Sequence, residues 1–262
     1  MSLFPKEHGA YGQLAFPLVT SLAVAGVTTP ALLIALAAVS GFLLHEPLVV
    51  LLGRRGARAK RLQRHRAAVW LGMTMATTIG AGLATVWSLA PEIRWSLVLP
   101  LVPALFAGVA IAAKFEKSSI GEVAVALMFS FVAVPMCLAA GAPTGTALAV
   151  GIAFGLVFVA GTLAVRVMVI AVRGGATPRA ARPLRMAILM LTSVASLALV
   201  AAASRTLLPW TTLLAAAPGL AGASWLAIFP PSPARLRMVG WTLVTVSAGA
   251  ALILIVGLAG GQ

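Results

Sequence analysis

The sequence predicts an all-α protein, a polytopic bundle of about nine transmembrane helices forming one transmembrane domain over residues 1–262. Two observations carry this prediction. Hydrophobic residues make up 61% of the chain and charged residues 9%, with a mean hydropathy of +1.07, whereas an average soluble domain is about 25% charged. The apolar residues also fall in runs near 10–27, 30–52, 67–90, 96–113, 122–141, 147–172, 186–203, 207–229 and 238–258. Most runs are close to the roughly 20 residues a helix needs to cross the hydrocarbon core. None alternates with a period of two, so the backbone is satisfied within helices and not in a closed barrel.

The first run follows the stretch PKEHGAYG (5–12) and contains Pro17 and a small-residue AVA at 23–25. Glu7, His8 and Pro17 are poor chemistry for a secretory signal, so the run is read as a retained first helix. The second run carries FLLHEPLVVLLG (42–53). Pro47 lacks a backbone donor and disfavours helical geometry at Glu46, which predicts a kink there. The fifth follows KFEKSSIGEVAVAL (114–127), where Ser119 and Glu122 fit a capping box. The sixth contains Arg166, two turns before Arg173 on the same helical face. The seventh and eighth are separated only by the short AAASRTLLPW.

Lys and Arg set the orientation. With the N-terminus cytoplasmic, sixteen of the 19 basic residues lie inside: Lys6, seven in RRGARAKRLQRHR (54–66), Lys114 and Lys117, four in RGGATPRAARPLR (173–185), and Arg235 with Arg237. This predicts an odd number of spans, an outside C-terminus and two basic cytoplasmic loops near 53–66 and 173–185. The net charge of +14 is distributed between hydrophobic spans. A nucleic-acid binder would spread it over a soluble surface, so no nucleic-acid partner is expected. Anionic lipid headgroups at the basic loops are the expected partners. Cys137, the only cysteine, excludes a disulfide framework and a thiolate metal cluster.

The chain has no aspartate, and of its five glutamates Glu7, Glu46, Glu116 and Glu122 all fall at the inside ends of helices, together with His8, His45 and His65. His45 and Glu46 lie about 10 Å inside the second helix, where an ionisable group is costly and faces the bundle interior. Arg166 lies in the hydrocarbon unless it snorkels, and its planar guanidinium suits a carboxylate or phosphate at a cavity mouth, or a partner such as Glu46. Lys6 reads as a headgroup anchor. Glu116, between Lys114 and Lys117, reads as a loop ion pair of small value. On the other face, Glu92 and Arg94 read as solvated charges. The candidate ligand-binding residues are therefore Glu7, His8, His45, Glu46, Arg166 and Arg173, converging on a polar cavity at the cytoplasmic end.

PKEHGAYG resembles the N-terminal signature of the YwiC-like family of bacterial membrane proteins, with Tyr11 where that family usually has Trp. HEPLVVLLGRRGARAKR (45–61) resembles the same family's His/Arg-Glu-Pro-Leu stretch and following Arg-rich segment. The resemblance implies a multi-pass protein of the bacterial inner (plasma) membrane and brings no specific reaction with it. The layout is also similar to that of UbiA-type intramembrane prenyltransferases, which have nine helices and a cavity open to the cytoplasm between the loops after helices 2 and 6. Those enzymes hold magnesium and a prenyl diphosphate with aspartate-rich motifs. Here the corresponding loops offer arginine, which holds phosphate oxygens directly.

The first functional expectation is a protein that binds or processes an amphiphile, an isoprenoid or other membrane lipid with an anionic head, without aspartate-magnesium chemistry. Two alternatives remain open at this point. A secondary transporter would need polar groups near the midplane, which helices 3, 4, 7 and 9 scarcely carry. A membrane metal site built from Glu7, His8, His45 and Glu46 has suitable ligand types but no helical E-x-x-H or H-x-x-x-H spacing. Whether the protein is an enzyme, and with which cofactor, does not follow from the residues.

Overall fold

The computed structural model describes residues 3–4, 8–173, 181–231 and 235–259, with the side chains of His8, Ala171, Val172, Arg173 and Ala259 outside that description. Ten α-helices follow one another: α1 (His8–Ala25), α2 (Thr29–Leu51), α3 (Ala57–Ser88), α4 (Val98–Ala112), α5 (Ser119–Phe131), α6 (Ala133–Ala139), α7 (Thr144–Arg173), α8 (Arg182–Ser204), α9 (Trp210–Ile228) and α10 (Leu236–Ala259). A 3-10 helix, Pro91–Leu97, leads into α4, and there is no strand among the described residues.

Among the described residues, eight segments are long and apolar enough to cross a membrane, with Pro91–Ala112 and Ser119–Ala139 each counting as one. The apolar part of α1, Gly9–Ala25, is shorter. At about 1.5 Å per residue, the 18 residues of α1 still fall at the lower end of the roughly 17–25 that span a bilayer. The short connection after Ser204 does separate two helices, α8 and α9.

Local chemistry explains the ends and breaks. Thr28 caps α2, its hydroxyl accepting from the Ala31 amide at 3.4 Å while donating to the Ala139 carbonyl at 3.2 Å. The interruption between α5 and α6 falls at Val132, where Pro135 offers no N–H to the Phe131 carbonyl. By contrast, α2 runs to Leu51 without interruption through Pro47.

In a bilayer, lipid is as apolar as leucine, so helices associate through close packing, and small residues permit it. The helix α7 packs against α1, α5, α6, α8, α9 and α10. Ala147, Ala149, Ala153, Phe154, Ala160 and Ala164 along it are fully buried. Its glycines are in contact: Gly151 lies against Val134 and Phe131, and Gly161 against Leu243. A second cluster, around Phe42, Phe129 and Met136, joins α1 and α2 to α5 and α6. At the rim, α3 packs chiefly on α2, with a Thr78 to Ser40 hydroxyl bond of 2.9 Å, and α4 packs chiefly on α5.

One expectation is corrected here. Most of residues 54–66 is not a loop, because α3 begins at Ala57. The 32 residues of α3 extend to about 48 Å, so the ten that precede Ala67 reach roughly 15 Å beyond the apolar part. Arg58, Lys60, Arg61, Arg64, His65 and Arg66 on this extension are exposed.

Candidate functional site

A tight turn between α2 and α3 builds the first part of the site. Gly53 (φ 76°) and Gly56 (φ 95°) adopt left-handed conformations that favour glycine. They bracket Arg54 and Arg55 and turn the chain back on itself. Arg55 thereby returns to α2 and clasps Glu46 with two bonds, Nε to Oε1 at 2.8 Å and Nη2 to Oε2 at 2.6 Å. Glu46 is 2% exposed and Arg55 34%, so the carboxylate is withdrawn from water while the guanidinium keeps a solvent-facing edge. The fork geometry of the guanidinium matches the carboxylate with two parallel bonds.

Arg54 reaches the other way. It pairs with Glu116 in the α4–α5 connection and donates to the Ala112 carbonyl at 3.3 Å. The connection itself is compact. Lys114 adopts φ 66°, and a Cβ built on Gly121 would lie 2.6 Å from the Glu116 carbonyl oxygen. Only glycine lets the start of α5 pass that close to the backbone carrying Glu116.

Arg166 completes the set. Its Nη1 donates to the Lys117 carbonyl at 2.6 Å and pairs with Glu122 Oε1 at 2.9 Å. A chain of charge-assisted contacts therefore runs from Glu46 through Arg55 and Arg54 to Glu116, and from Lys117 through Arg166 to Glu122. It ties together α2, the α4–α5 connection, α5 and α7. Beside it, Leu3 and Phe4 close a cavity of about 40 Å³ with Leu43, Arg66 and Trp70. Phe4 and Trp70 meet edge to face at 5.8 Å.

Two expectations from sequence change. Arg166 pairs with Glu122, not Glu46, because Glu46 on α2 is taken by Arg55. The cap of α5 is Ser118, which accepts from the Gly121 amide at 3.1 Å. That places Glu122 one position beyond a capping box and frees it for Arg166. Glu116 is indeed ion-paired, though with Arg54 and not with its neighbouring lysines.

His45 is half-buried on the last turns of α2. Glu7 and Lys6 lie outside the described residues. α1 starts at His8 and α7 ends at Arg173, and the side chains of both lie outside the description. Among the described residues, no three His, Cys, Asp or Glu side chains are grouped as metal ligands.

Arg54, Arg55, Glu116 and Glu122 are the ion-paired residues that sequence reasoning did not place in the site. The signal for the two arginines is the pair of glycines around them, which marks a tight return turn nine residues after Glu46.

A family profile described as YwiC-like protein matches residues 4–137, half of the chain. The chain belongs to the YwiC-like family. The matched segment contains PKEHGAYG, Glu46 with its partner Arg55, Arg54 with Glu116, and Glu122; it ends before Arg166. Neither the curated proteins nor the solved structures offer a match to the chain.

Proposed function

We propose that this YwiC-like protein holds an amphiphile with an anionic head, an isoprenoid or other lipid, at the basic end of its helix bundle. In this reading, the basic end faces the cytoplasm from the inner membrane. One observation carries the proposal. Glu46, Glu116 and Glu122 are each committed to an arginine. Arg58, Lys60, Arg61, Arg64, Arg66, Lys114 and Lys117 stay exposed at the same end. A phosphate or carboxylate head would meet cations directly there, without a divalent ion bridging to protein carboxylates.

The carboxylates hold the guanidinium groups in place. Fixing Arg55 and Arg166 before a ligand arrives lowers the ordering cost of binding it. Glu7, His8, His45 and Arg173 line the same end in this reading, and the layout is of the UbiA type, with the aspartate-magnesium device replaced by arginine.

The test is an alanine series in the full chain, read by the amphiphile that copurifies. Glu7→Ala and His8→Ala abolish its retention and leave membrane insertion intact, whereas Lys6→Ala changes little. Equal tolerance at positions 7 and 8 contradicts the site. Loss only at Lys6 reduces the segment to a headgroup anchor.

A further inference from the structure

Between α4 on one side and α5 on the other runs a groove of about 400 Å³. It is lined by apolar residues, including Val98, Val102 and Phe106 from one wall and Ile120, Leu127 and Phe131 from the other. The twelve residues from Ile120 to Phe131 span eleven helical rises, a length of about 16 Å. That is close to half of a hydrocarbon core of roughly 30 Å. The groove therefore has the depth of one leaflet, and its α5 wall starts at Ile120, the second residue of α5, on the basic side.

The connection just before this wall carries charge. Lys114 follows the last turn of α4 by two residues, Lys117 precedes α5 by two, and both are exposed. The nearby acids are already engaged, Glu116 by Arg54 and Glu122 by Arg166. Two exposed ammonium groups thus lie in the connection that leads into the α5 wall, with the nearby carboxylates already paired.

We infer that this groove seats one acyl chain of an anionic phospholipid from the leaflet at the basic end, with Lys114 and Lys117 on its head. The inference rests on the amphiphile reading and deepens it by naming the tail site and the lipid class. An acyl chain matches a slot one leaflet deep; a polyisoprenoid longer than a leaflet runs past Phe131. Filling the slot with a bonded, head-selected lipid also supports α4, which otherwise packs chiefly on α5.

The experiment uses full-length protein in nanodiscs of equal phosphatidylglycerol and phosphatidylcholine, with retained lipid weighed by native mass spectrometry. The wild type keeps one phosphatidylglycerol, preferred on the order of tenfold, since two lysines near the surface attract an anionic head. Val102→Trp fills the groove and loses that lipid. Val194→Trp, at a site on α8 that is 60% exposed against 59% for Val102, keeps it and controls for the added indole. Lys114→Asn with Lys117→Gln retains lipid but loses the headgroup preference; asparagine tolerates the left-handed backbone at 114.

A wild type without preference for phosphatidylglycerol overturns the inference, as does a Val102→Trp protein that keeps the lipid as the wild type does. Either result leaves the amphiphile reading to the series at Lys6, Glu7 and His8, which is read separately.

Discussion

The two ends of the bundle solve the same problem, closing a set of helices, by different means. At the basic end, three arginine–glutamate pairs join α2, α5, α7 and the α4–α5 connection. At the opposite end, Glu92 and Arg94 are exposed and form no ion pair among the described residues, and the Arg94 Nε donates to the Leu89 carbonyl at 3.1 Å. Closure there comes from backbone and apolar contacts: Thr28 on the Ala139 carbonyl, and Ile93 and Leu99 against the central core. A helix bundle needs nothing more than this second solution. The charged network is therefore an addition with a cost, since a buried ion pair is weak evidence for stability, and it is concentrated at one end.

The largest effect expected from breaking the comparison is at Arg55. Arg55→Ala leaves Glu46 buried without a partner and destabilises the fold by up to about 3 kcal/mol, the lower part of the range for such breaks because water reaches Arg55. Thermal unfolding in detergent measures it. Adding Glu46→Gln to Arg55→Ala recovers most of the loss if the penalty is that of an uncompensated charge. Gly121→Ala comes next. Its Cβ meets backbone at the Glu116 carbonyl, so the connection must shift, at a cost of about 1–3 kcal/mol. The same variant weakens the coupling between Arg54 and Glu116 in a double-mutant cycle.

Arg166→Lys is smaller, about 1 kcal/mol, because a flexible ammonium has to reproduce the contacts to Glu122 and the Lys117 carbonyl that Nη1 of the rigid guanidinium makes. Glu92→Ala and Arg94→Ala at the opposite end stay within about 0.5 kcal/mol. A loss there as large as at Arg55 would erase the contrast between the ends.

The sidedness of the comparison is also open to labelling. Cys137 is buried, so a cysteine at Leu62, which is 75% exposed on the basic extension of α3, is the reporter. Leu62→Cys reacts with a membrane-impermeant maleimide only after the cytoplasmic face is opened. Labelling of intact cells reverses the orientation.

The spans were legible because run length and hydropathy follow directly from bilayer thickness. The hub and the rim were not. Both α7 and α3 read as glycine-bearing apolar helices, yet Gly151 and Gly161 touch neighbours while Gly72, Gly80 and Gly82 have nothing within reach of a Cβ. Packing partners are a tertiary property that composition does not encode. The basic stretch 54–66 read as a loop because its charges break the apolar run, although Arg, Lys and Gln are good helix formers and most of it is helical.

Within the site, Glu46 and Arg166 stood out because ionisable groups in apolar runs are costly. Their partners did not. Arg54 and Arg55 already had an explanation in orientation, and their directions depend on the φ values of Gly53 and Gly56. The one-residue difference between Ser119 and Ser118 as the cap decided whether Glu122 closes its own helix or reaches Arg166.

The most direct test of the central claim, that the basic end is organised to hold an anionic amphiphile, is the lipid composition that stays with the purified full chain, compared with the membrane it came from. The account predicts one anionic amphiphile enriched over bulk lipid, and that enrichment lost in Glu7→Ala and His8→Ala protein. Retained lipid with the composition of the source membrane, unchanged by either substitution, would contradict it.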